Sequence, residues 1–242
     1  MAEVDSGTVL LAGASGFAGA LTLQALLTAP DVVRVYAISR RPLGREHPRL
    51  ANRIVQFQQI ETQLRGLSCH AALCCIGSRI RASAPEQLLR QVDVDVVMAF
   101  ARAAKSAGVQ RFVVLSCAGA ATQARSPHLR VKGEMEAALA TLSFASLDIL
   151  QPAWLLGWRS DVRPLELTAS VLMPLANPFL IGSRAIHRGI AARTVAAAMV
   201  GALRSGRRGI QRYTHDGMVA LAKLKPQRGL PVEEPRAPAR TR

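Results

Sequence analysis

A glycine-rich turn, GASGFAG at residues 13–19, follows a short apolar run and precedes a helical pattern. Gly13 permits a tight turn, and Gly19 lets the helix pack closely on the strand. Gly16 leaves room for a pyrophosphate, which the first amides of the helix attract. The spacing is GxxGxxG rather than GxGxxG, and at this position it predicts a dinucleotide-binding turn. The predicted cofactor-binding residues of the turn are Gly13, Ser15, Gly16, Phe17 and Gly19.

Short apolar runs alternate with helical patterns along most of the chain. Strands are predicted at 8–13, 32–39, 53–60, 71–77, 111–117, 146–157 and 209–215. Helices are predicted at 16–27, 88–107, 131–142 and 193–203. Strands that are apolar on both faces and separated by helices are typical of a parallel sheet covered on both sides. We therefore expect an α/β fold, a doubly wound parallel sheet of Rossmann type with a small C-terminal substrate region.

The length of 242 residues suits one domain, residues 1–222, with the substrate region at about 152–192. Residues 223–242 are rich in Pro, Arg and Glu without periodicity, which predicts a flexible basic tail. The apolar stretch 165–182 is interrupted by Glu, Asn and Pro, so a transmembrane segment is not expected. A lid, a surface for a homodimer, a membrane-touching loop and a core-covering loop remain open for that stretch.

The composition is basic, with 31 Lys and Arg against 16 Asp and Glu. Most of the excess lies after residue 183, which favours a phosphorylated ligand, an anionic lipid or a nucleic acid. No compact Lys/Arg run is interleaved with aromatic residues, so nucleic-acid binding is not expected.

The four cysteines show neither CxxC nor zinc-ligand spacing, so we expect buried free thiols and no metal site. Free thiols and a first segment, MAEVDSG, without a basic and then apolar leader predict a cytoplasmic protein.

The end of the second predicted strand reads Ser39-Arg40-Arg41. An NAD site generally places an acidic residue there to accept a hydrogen bond from the ribose. Two guanidinium groups instead suit a 2′-phosphate, which Arg binds in bidentate fashion. The sequence therefore predicts NADP(H) rather than NAD(H), the alternative being a solvated strand exit. The nearest upstream acid, Asp31, precedes the strand and lies at its wrong end.

Five segments in order resemble the atypical short-chain dehydrogenase/reductase superfamily, and within it the Tat-interactive-protein-like oxidoreductases. They are GASGFAG, ISRRPL at 38–43, CCIGS at 74–78, AKSAGVQRFVVLS at 104–116 and VKGEMEAAL at 131–139. The resemblance spans roughly residues 7–215 and implies a Rossmann core that binds NADP(H). It also implies that Ile76, Gly77 and Ser78 line the adenine-ribose side of the cofactor after the fourth strand, and that Pro152 turns the chain at the nicotinamide edge.

The catalytic pattern of that superfamily is incomplete in this chain. The resemblance implies Tyr-x-x-x-Lys, with Lys on the nicotinamide ribose and Tyr transferring a proton, and a Ser that orients the substrate oxygen. Lys132 and Ser116 are present, but His128 stands where Tyr is expected. A titrating imidazole one helical turn from Lys132 is able to transfer a proton. The alternative for His128 is a histidine without a catalytic role. The alternative for Ser116 is a serine that only forms a hydrogen bond with the local backbone.

These observations lead to an NADP(H)-dependent oxidoreductase acting on a small, rather apolar carbonyl or alcohol. A non-catalytic NADP(H)-binding regulator is the alternative, because the tyrosine is replaced. A basic surface protein for nucleic acid or anionic lipid is the least favoured class. Trp154 and Trp158 follow Pro152 and either line the substrate pocket or pack in the core.

Overall fold

The computed structural model describes residues 7–77, 85–156 and 188–226. The strands in these ranges are β1 (Thr8–Ala12), β2 (Arg34–Ser39), β3 (Leu50–Ile54), β4 (Ala71–Cys74), β5 (Arg111–Leu115), β6 (Ser146–Leu150), β7 (Trp154–Leu156), β8 (Gly189–Ala191) and β9 (Gly209–Tyr213). The helices are α1 (Phe17–Thr28), α2 (Ile60–Gln63), α3 (Glu86–Arg90), α4 (Val97–Ser106), α5 (Pro127–Ala140), α6 (Ala192–Ala202) and α7 (His215–Ala222). A 3₁₀ turn, Phe57–Gln59, precedes α2, and a π-helical segment, Gln91–Val96, joins α3 to α4.

Seven strands form one parallel sheet in the order β3-β2-β1-β4-β5-β6-β9. Val9 of β1 is paired with Val35 of β2 on one side and with Ala71 of β4 on the other. The strand order reverses between β1 and β4, which is where ligands bind in doubly wound sheets. β7 and β8 pair separately as a short two-stranded sheet. The predicted fold class is confirmed.

Alternate residues of β1 enter two different hydrophobic clusters, because successive side chains of a strand point to opposite faces. Leu10 packs in the cluster that includes α4 and α5, where the rings of Phe100 and Phe112 have centroids 5.9 Å apart. Leu11 packs in the cluster of α1, α6 and α7, with Met199. Each fully buried side chain of this size contributes about 1.5–3 kcal/mol relative to exposure. The two-sided burial explains why these strands are apolar throughout.

The structure differs from the sequence-based prediction in several places. The helix predicted at 88–107 contains the π-helical segment, and the strand predicted at 209–215 ends at Tyr213 before α7. The strand predicted at 53–60 is wrong beyond Ile54, because Ile60 and Leu64 are spaced as on a helix and are both buried. The strand predicted at 146–157 ends at Leu150 and resumes only as β7 in the smaller sheet. The helix predicted from 131 begins four residues earlier, with Pro127 in its first turn.

Some predicted features lie outside the described residues. They are Ser78, Trp158, the apolar stretch 165–182, most of the substrate region and the tail from 227 onward. Within 7–77, 85–156 and 188–226, none of the helices is long and apolar enough to cross a membrane.

Candidate functional site

The glycine turn after β1 meets the segment that follows β4. Gly13 has φ +85°, and a Cβ on it would lie 2.5 Å from the carbonyl carbon of Cys75. A Cβ on Gly19 would lie 2.0 Å from the carbonyl oxygen of Gly13. A Cβ on Gly16 would approach only that oxygen, at 3.3 Å. Packing therefore requires glycine at 13 and 19, whereas position 16 keeps an open side.

The amino end of α1 has no side-chain cap in the part of the chain that the structure describes. Gly16 is the N-cap, no side chain caps the helix, and its first turn holds no acidic residue. Ser15 is exposed and Phe17 is half-buried. A glycine cradle beside an uncapped helix end fits a diphosphate, because the amide dipoles attract negative charge.

The turn after β2 is held by hydrogen bonds of Ser39 and Asn52. Ser39 Oγ donates to the carbonyl oxygen of Arg41 at 2.7 Å and accepts from Asn52 Nδ2 at 2.7 Å. Asn52 Oδ1 accepts from the backbone amide of Leu43 at 3.0 Å. The side chains of Arg40 and Arg41 are exposed and make no hydrogen bond or ion pair with the described parts of the chain. Both guanidinium groups are therefore open to a ligand on this side of the turn.

Asp31 lies at the opposite end of β2, as predicted. Arg204 binds it in bidentate fashion, with Nε and Nη2 each 2.7 Å from a carboxylate oxygen. Burial by itself raises the pKa of Asp31, but the hydrogen bond and charge of Arg204 outweigh burial and lower it. The carboxylate is engaged in the fold and lies away from the Arg40–Arg41 turn.

Lys132 of α5 forms a buried ion pair with Asp93 of the π-helical segment. Lys132 Nζ lies 2.8 Å from Asp93 Oδ1, and both side chains are almost fully buried. A Cβ on Gly77 would lie 3.7 Å from each of these two atoms. The structure therefore brings Lys132 next to Gly77, while the neighbouring Ile76 packs against the core.

Ser116 directly follows β5 and is hydrogen-bonded to a buried carboxylate. Its Oγ donates to Glu136 Oε1 at 2.6 Å. Gln151 Nε2 donates to the same oxygen at 2.8 Å, and Arg212 Nε donates to Oε2 at 3.0 Å. Three strands, β5, β6 and β9, thus supply donors to one carboxylate of α5.

His128 lies on the same face of α5 as Lys132, four residues earlier. Burial lowers the pKa of His128, and the nearby Lys132 lowers it further against the opposing charge of Asp93. The neutral imidazole that results is able to accept a proton near neutral pH. Its Nε2 lies 3.9 Å from Cys117 Sγ, whose pKa burial raises to about 11. A raised pKa disfavours the thiolate and so does not favour a nucleophilic role for Cys117.

The remaining predicted residues follow the end of β6. Pro152 is buried, and its carbonyl oxygen accepts from the amide of Ala118 at 3.0 Å. Trp154 is 54% exposed, so the alternative of core packing is wrong for this residue. All four cysteines are free, with Cys69 and Cys74 buried. The predicted site residues that the structure describes thus gather at the edge of the sheet where β1, β2, β4, β5 and β6 end.

Sequence reasoning missed Asp93, Glu136, Gln151 and Arg212. Glu136 follows Lys132 by one helical turn, a spacing that could have revealed it. Asp93 and Asp95 alternate with valines in the predicted helix, and only the three-dimensional structure distinguishes the buried Asp93 from the exposed Asp95. Gln151 and Arg212 carry no sequence signal.

A doubly wound parallel sheet with a glycine turn at its switch point defines an NAD(P)-binding protein of Rossmann type. The chain is 32% identical to protein HTATIP2 of Rattus norvegicus over 168 residues, 68% of this chain and 69% of that protein. It is 30% identical to the mitochondrial protein fmp52-1 of Aspergillus terreus over 177 residues, 70% and 76% of the two chains. The chain therefore belongs to the atypical short-chain dehydrogenase/reductases, in the group that includes HTATIP2 and fmp52 proteins. No protein-family model matches it.

Solved structures of low sequence identity share the fold. MoeE5 in complex with UDP-glucose and NAD has a TM-score of 0.63 and 18% identity, over 89% of this chain and 81% of that one. A UDP-N-acetylglucosamine 4-epimerase from Methanobrevibacter ruminantium has a TM-score of 0.65 and 16% identity, over 86% and 76%. WbmH of Bordetella bronchiseptica, in complex with NAD+, has a TM-score of 0.63 and 18% identity, over 86% and 75%.

The prediction of a cytoplasmic location is wrong in the light of these relatives. Several fungal relatives, from Aspergillus, Emericella and Coccidioides species, are named mitochondrial. Free buried thiols, on which the prediction partly depended, do not distinguish the cytoplasm from other reducing compartments.

Proposed function

We propose that this protein is an NADP(H)-dependent oxidoreductase that acts on a small, rather apolar carbonyl or alcohol. The observation that carries the proposal is the glycine cradle and uncapped end of α1 at the β1–β4 switch point. Gly13, Gly16 and Gly19 shape the diphosphate site. Ser15 lies in the turn before the N-cap, and Phe17 begins the helix whose first amides face the diphosphate.

The adenosine end of the cofactor is assigned to the turn after β2. Arg40 and Arg41 bind the 2′-phosphate, and Ser39 holds the backbone of that turn through its hydrogen bond to Arg41. Ile76, Gly77 and Ser78 line the cofactor after β4. The solved relatives in fold include complexes with NAD, which supports a nicotinamide dinucleotide in general.

The reacting end is assigned to the edge of the sheet near α5. When bound, the dinucleotide supplies or accepts the hydride. Lys132, held by Asp93 beside Gly77, binds the nicotinamide ribose, and Pro152 borders the nicotinamide. Ser116 orients the substrate oxygen, and neutral His128 is assigned the proton transfer that Tyr performs in the superfamily.

The experiment that tests this proposal is a fluorescence titration of NADPH and NADH with an Arg40→Ala/Arg41→Ala variant. We expect affinity for NADPH to fall about 100-fold, because two charge-assisted hydrogen-bonding groups are lost. Affinity for NADH should change less than about threefold, because it lacks the 2′-phosphate. Arg65→Ala is the matched control, since Arg65 is an exposed arginine after α2.

Equal weakening of both cofactors would contradict the 2′-phosphate assignment. A carbonyl and alcohol panel run on the same protein tests the reaction itself. Tight NADPH binding without turnover of any member would contradict the oxidoreductase and support the regulator.

A further inference from the structure

Glu136 is a buried carboxylate to which the proposed function assigns no role. It is only 3% exposed and lies on α5 one turn after Lys132. It accepts hydrogen bonds from Ser116, Gln151 and Arg212, which come from three different strands or strand ends. Arg212 balances its charge and is itself 51% exposed. A fully hydrogen-bonded carboxylate at this place restricts what Ser116 can do.

The hydroxyl hydrogen of Ser116 is committed to Glu136. A serine has one hydrogen to donate and two lone pairs that accept. Because Ser116 Oγ donates to Glu136 Oε1 at 2.6 Å, it can only accept a hydrogen bond from a ligand. An alcohol supplies such a donor, whereas a ketone oxygen does not. The hydrogen-bond direction therefore selects the alcohol over the carbonyl.

We propose that Glu136 is a positioning residue that makes Ser116 the acceptor of the substrate hydroxyl and receives its proton through Ser116. The proposal rests on the proposed function, since an oxidised nicotinamide dinucleotide is the hydride acceptor. As the alcohol carbon loses its hydride, the alcohol O–H bond breaks and its proton passes to Ser116 Oγ. The former Ser116 proton passes to Glu136 Oε1, leaving a carbonyl product, neutral serine and a protonated carboxyl. Carbonyl reduction returns the same proton by the reverse path.

This route gives Glu136 the proton transfer that the proposed function assigns to His128, so the two residues are alternative substitutes for the missing tyrosine. Glu136 and His128 lie eight residues apart on α5, on either side of Lys132 and on the same helix face. His128 contacts the thiol of Cys117, whereas Glu136 has a direct hydrogen bond to the substrate-orienting serine. The Ser116–Glu136 hydrogen bond gives a direct proton path from a substrate bound at Ser116.

The chain contains a matched control for this serine–carboxylate pair. Ser146 Oγ donates to Asp148 Oδ2 at 2.7 Å, and both side chains are buried. Tyr213 also donates to Asp148, at 3.0 Å. Ser146 begins β6, so this pair lies toward the end of the sheet opposite to Ser116. Asp148→Asn therefore perturbs a buried serine–carboxylate pair without reaching the proposed site.

The first measurement compares dead-end complexes of Glu136→Gln, Asp148→Asn and the unaltered protein. Cyclohexanol is titrated into the NADPH complex and cyclohexanone into the NADP⁺ complex, neither of which can react. In Glu136→Gln the amide oxygen takes the Oε2 position, where it keeps the donor Arg212, and the NH₂ group takes the Oε1 position beside Ser116 and Gln151. The NH₂ group then donates to Ser116 Oγ and frees the serine hydrogen for a ketone, while Gln151 turns its own amide oxygen toward the NH₂ group. The affinity ratio of ketone to alcohol should rise about 10-fold in this variant, the effect of one hydrogen bond. Asp148→Asn should leave the ratio unchanged.

The second measurement is the pH profile of alcohol oxidation with NADP⁺ and a panel of secondary alcohols that includes cyclohexanol. Glu136→Gln should lower kcat at least about 100-fold, as expected for loss of a proton acceptor, with KM for NADP⁺ little changed. The pH dependence of the remaining activity should differ from that of the unaltered protein, and Glu136→Asp should restore part of kcat. A purely structural Glu136 would instead show an unchanged ligand ratio and pH profile.

The outcomes separate this inference from the proposed function. If the unaltered protein fails to bind NADPH, the proposed function fails and the relay fails with it. If NADPH binds and Glu136→Gln oxidises alcohols at the unaltered rate, only the relay is overturned. If NADPH binds and no alcohol of the panel is bound or oxidised, the assignment of Ser116 as acceptor is overturned as well.

Discussion

At the scale of single residues, the three glycines of the first turn meet different steric constraints. Gly13 has a positive φ, and the backbone of Cys75 occupies the space that a Cβ at residue 13 would need. Gly19 faces the carbonyl oxygen of Gly13. Gly16 has ordinary backbone angles and an open side. The fold therefore requires glycine at two of these positions, and the third is the one that the proposed function assigns to the diphosphate.

We expect Gly19→Ala to destabilise the protein by roughly 3 kcal/mol, because its Cβ would overlap backbone that cannot move away. Gly16→Ala should cost about 1 kcal/mol at this N-cap but weaken NADPH binding at least about 10-fold. Urea unfolding and NADPH titration of both variants check this contrast. Unchanged NADPH affinity in a folded Gly16→Ala protein would contradict the assignment of the diphosphate site.

At the scale of secondary-structure elements, the π-helical segment determines where Lys132 is held. Gln91–Val96 interrupts the α-helical pattern between α3 and α4, and its wider turn places Asp93 inside while Asp95 stays exposed. α5 packs against this segment and brings Lys132 to Asp93. Two helices thus share one buried ion pair beside Gly77.

Replacing Asp93 with Asn should lower the free energy of unfolding by about 3–5 kcal/mol, because the buried Lys132 ammonium loses its counter-charge. Asp95→Asn, two residues away and exposed, should change it by less than about 0.5 kcal/mol. Denaturant unfolding of the two variants provides the comparison. Equal stabilities would show that the ion pair does not contribute to the fold.

At the scale of the whole molecule, two different kinds of titrating group connect stability to pH. Burial lowers the pKa of His70 and His128, with Arg111 and Lys132 adding to the respective effects. Asp31 has a lowered pKa because Arg204 outweighs its burial. The histidines therefore change the unfolding free energy near neutral pH, whereas Asp31 changes it only at acidic pH.

We expect the unfolding free energy to fall as pH decreases from about 6.5, the ordinary histidine pKa. The pKa of each histidine is lower in the folded state than in the unfolded state. As pH falls through about 6.5, the unfolded state therefore binds protons first, and its stabilisation lowers the unfolding free energy. His128→Gln should reduce this loss of unfolding free energy between pH 7.5 and pH 5.5, as measured by urea unfolding. It should not change the further loss at acidic pH, where Asp31 is protonated. A His128→Gln protein with the same pH dependence would exclude His128 as a contributor.

Local sequence patterns were sufficient to predict the doubly wound sheet, and they also indicated the residues that the proposed function assigns to the cofactor. Continuous apolar runs such as β1 reflect burial on both faces, and the glycine turn is confined to seven adjacent residues. The spacing of His128 and Lys132 predicted a shared helix face, because helical periodicity is itself local.

Long-range packing decided the surroundings of the residues to which we assign proton transfer. Glu136 receives donors from Ser116, Gln151 and Arg212, which lie 20, 15 and 76 residues away in the chain. Which acidic residue of the π-helical segment points inward depends on one widened turn, and periodicity does not reveal it. A chain's own pattern of apolar residues and glycines specifies its elements, because each is stabilised by neighbours in sequence. Hydrogen-bond partners across the sheet are selected only when those elements pack, and that packing determined what surrounds Lys132 and Ser116.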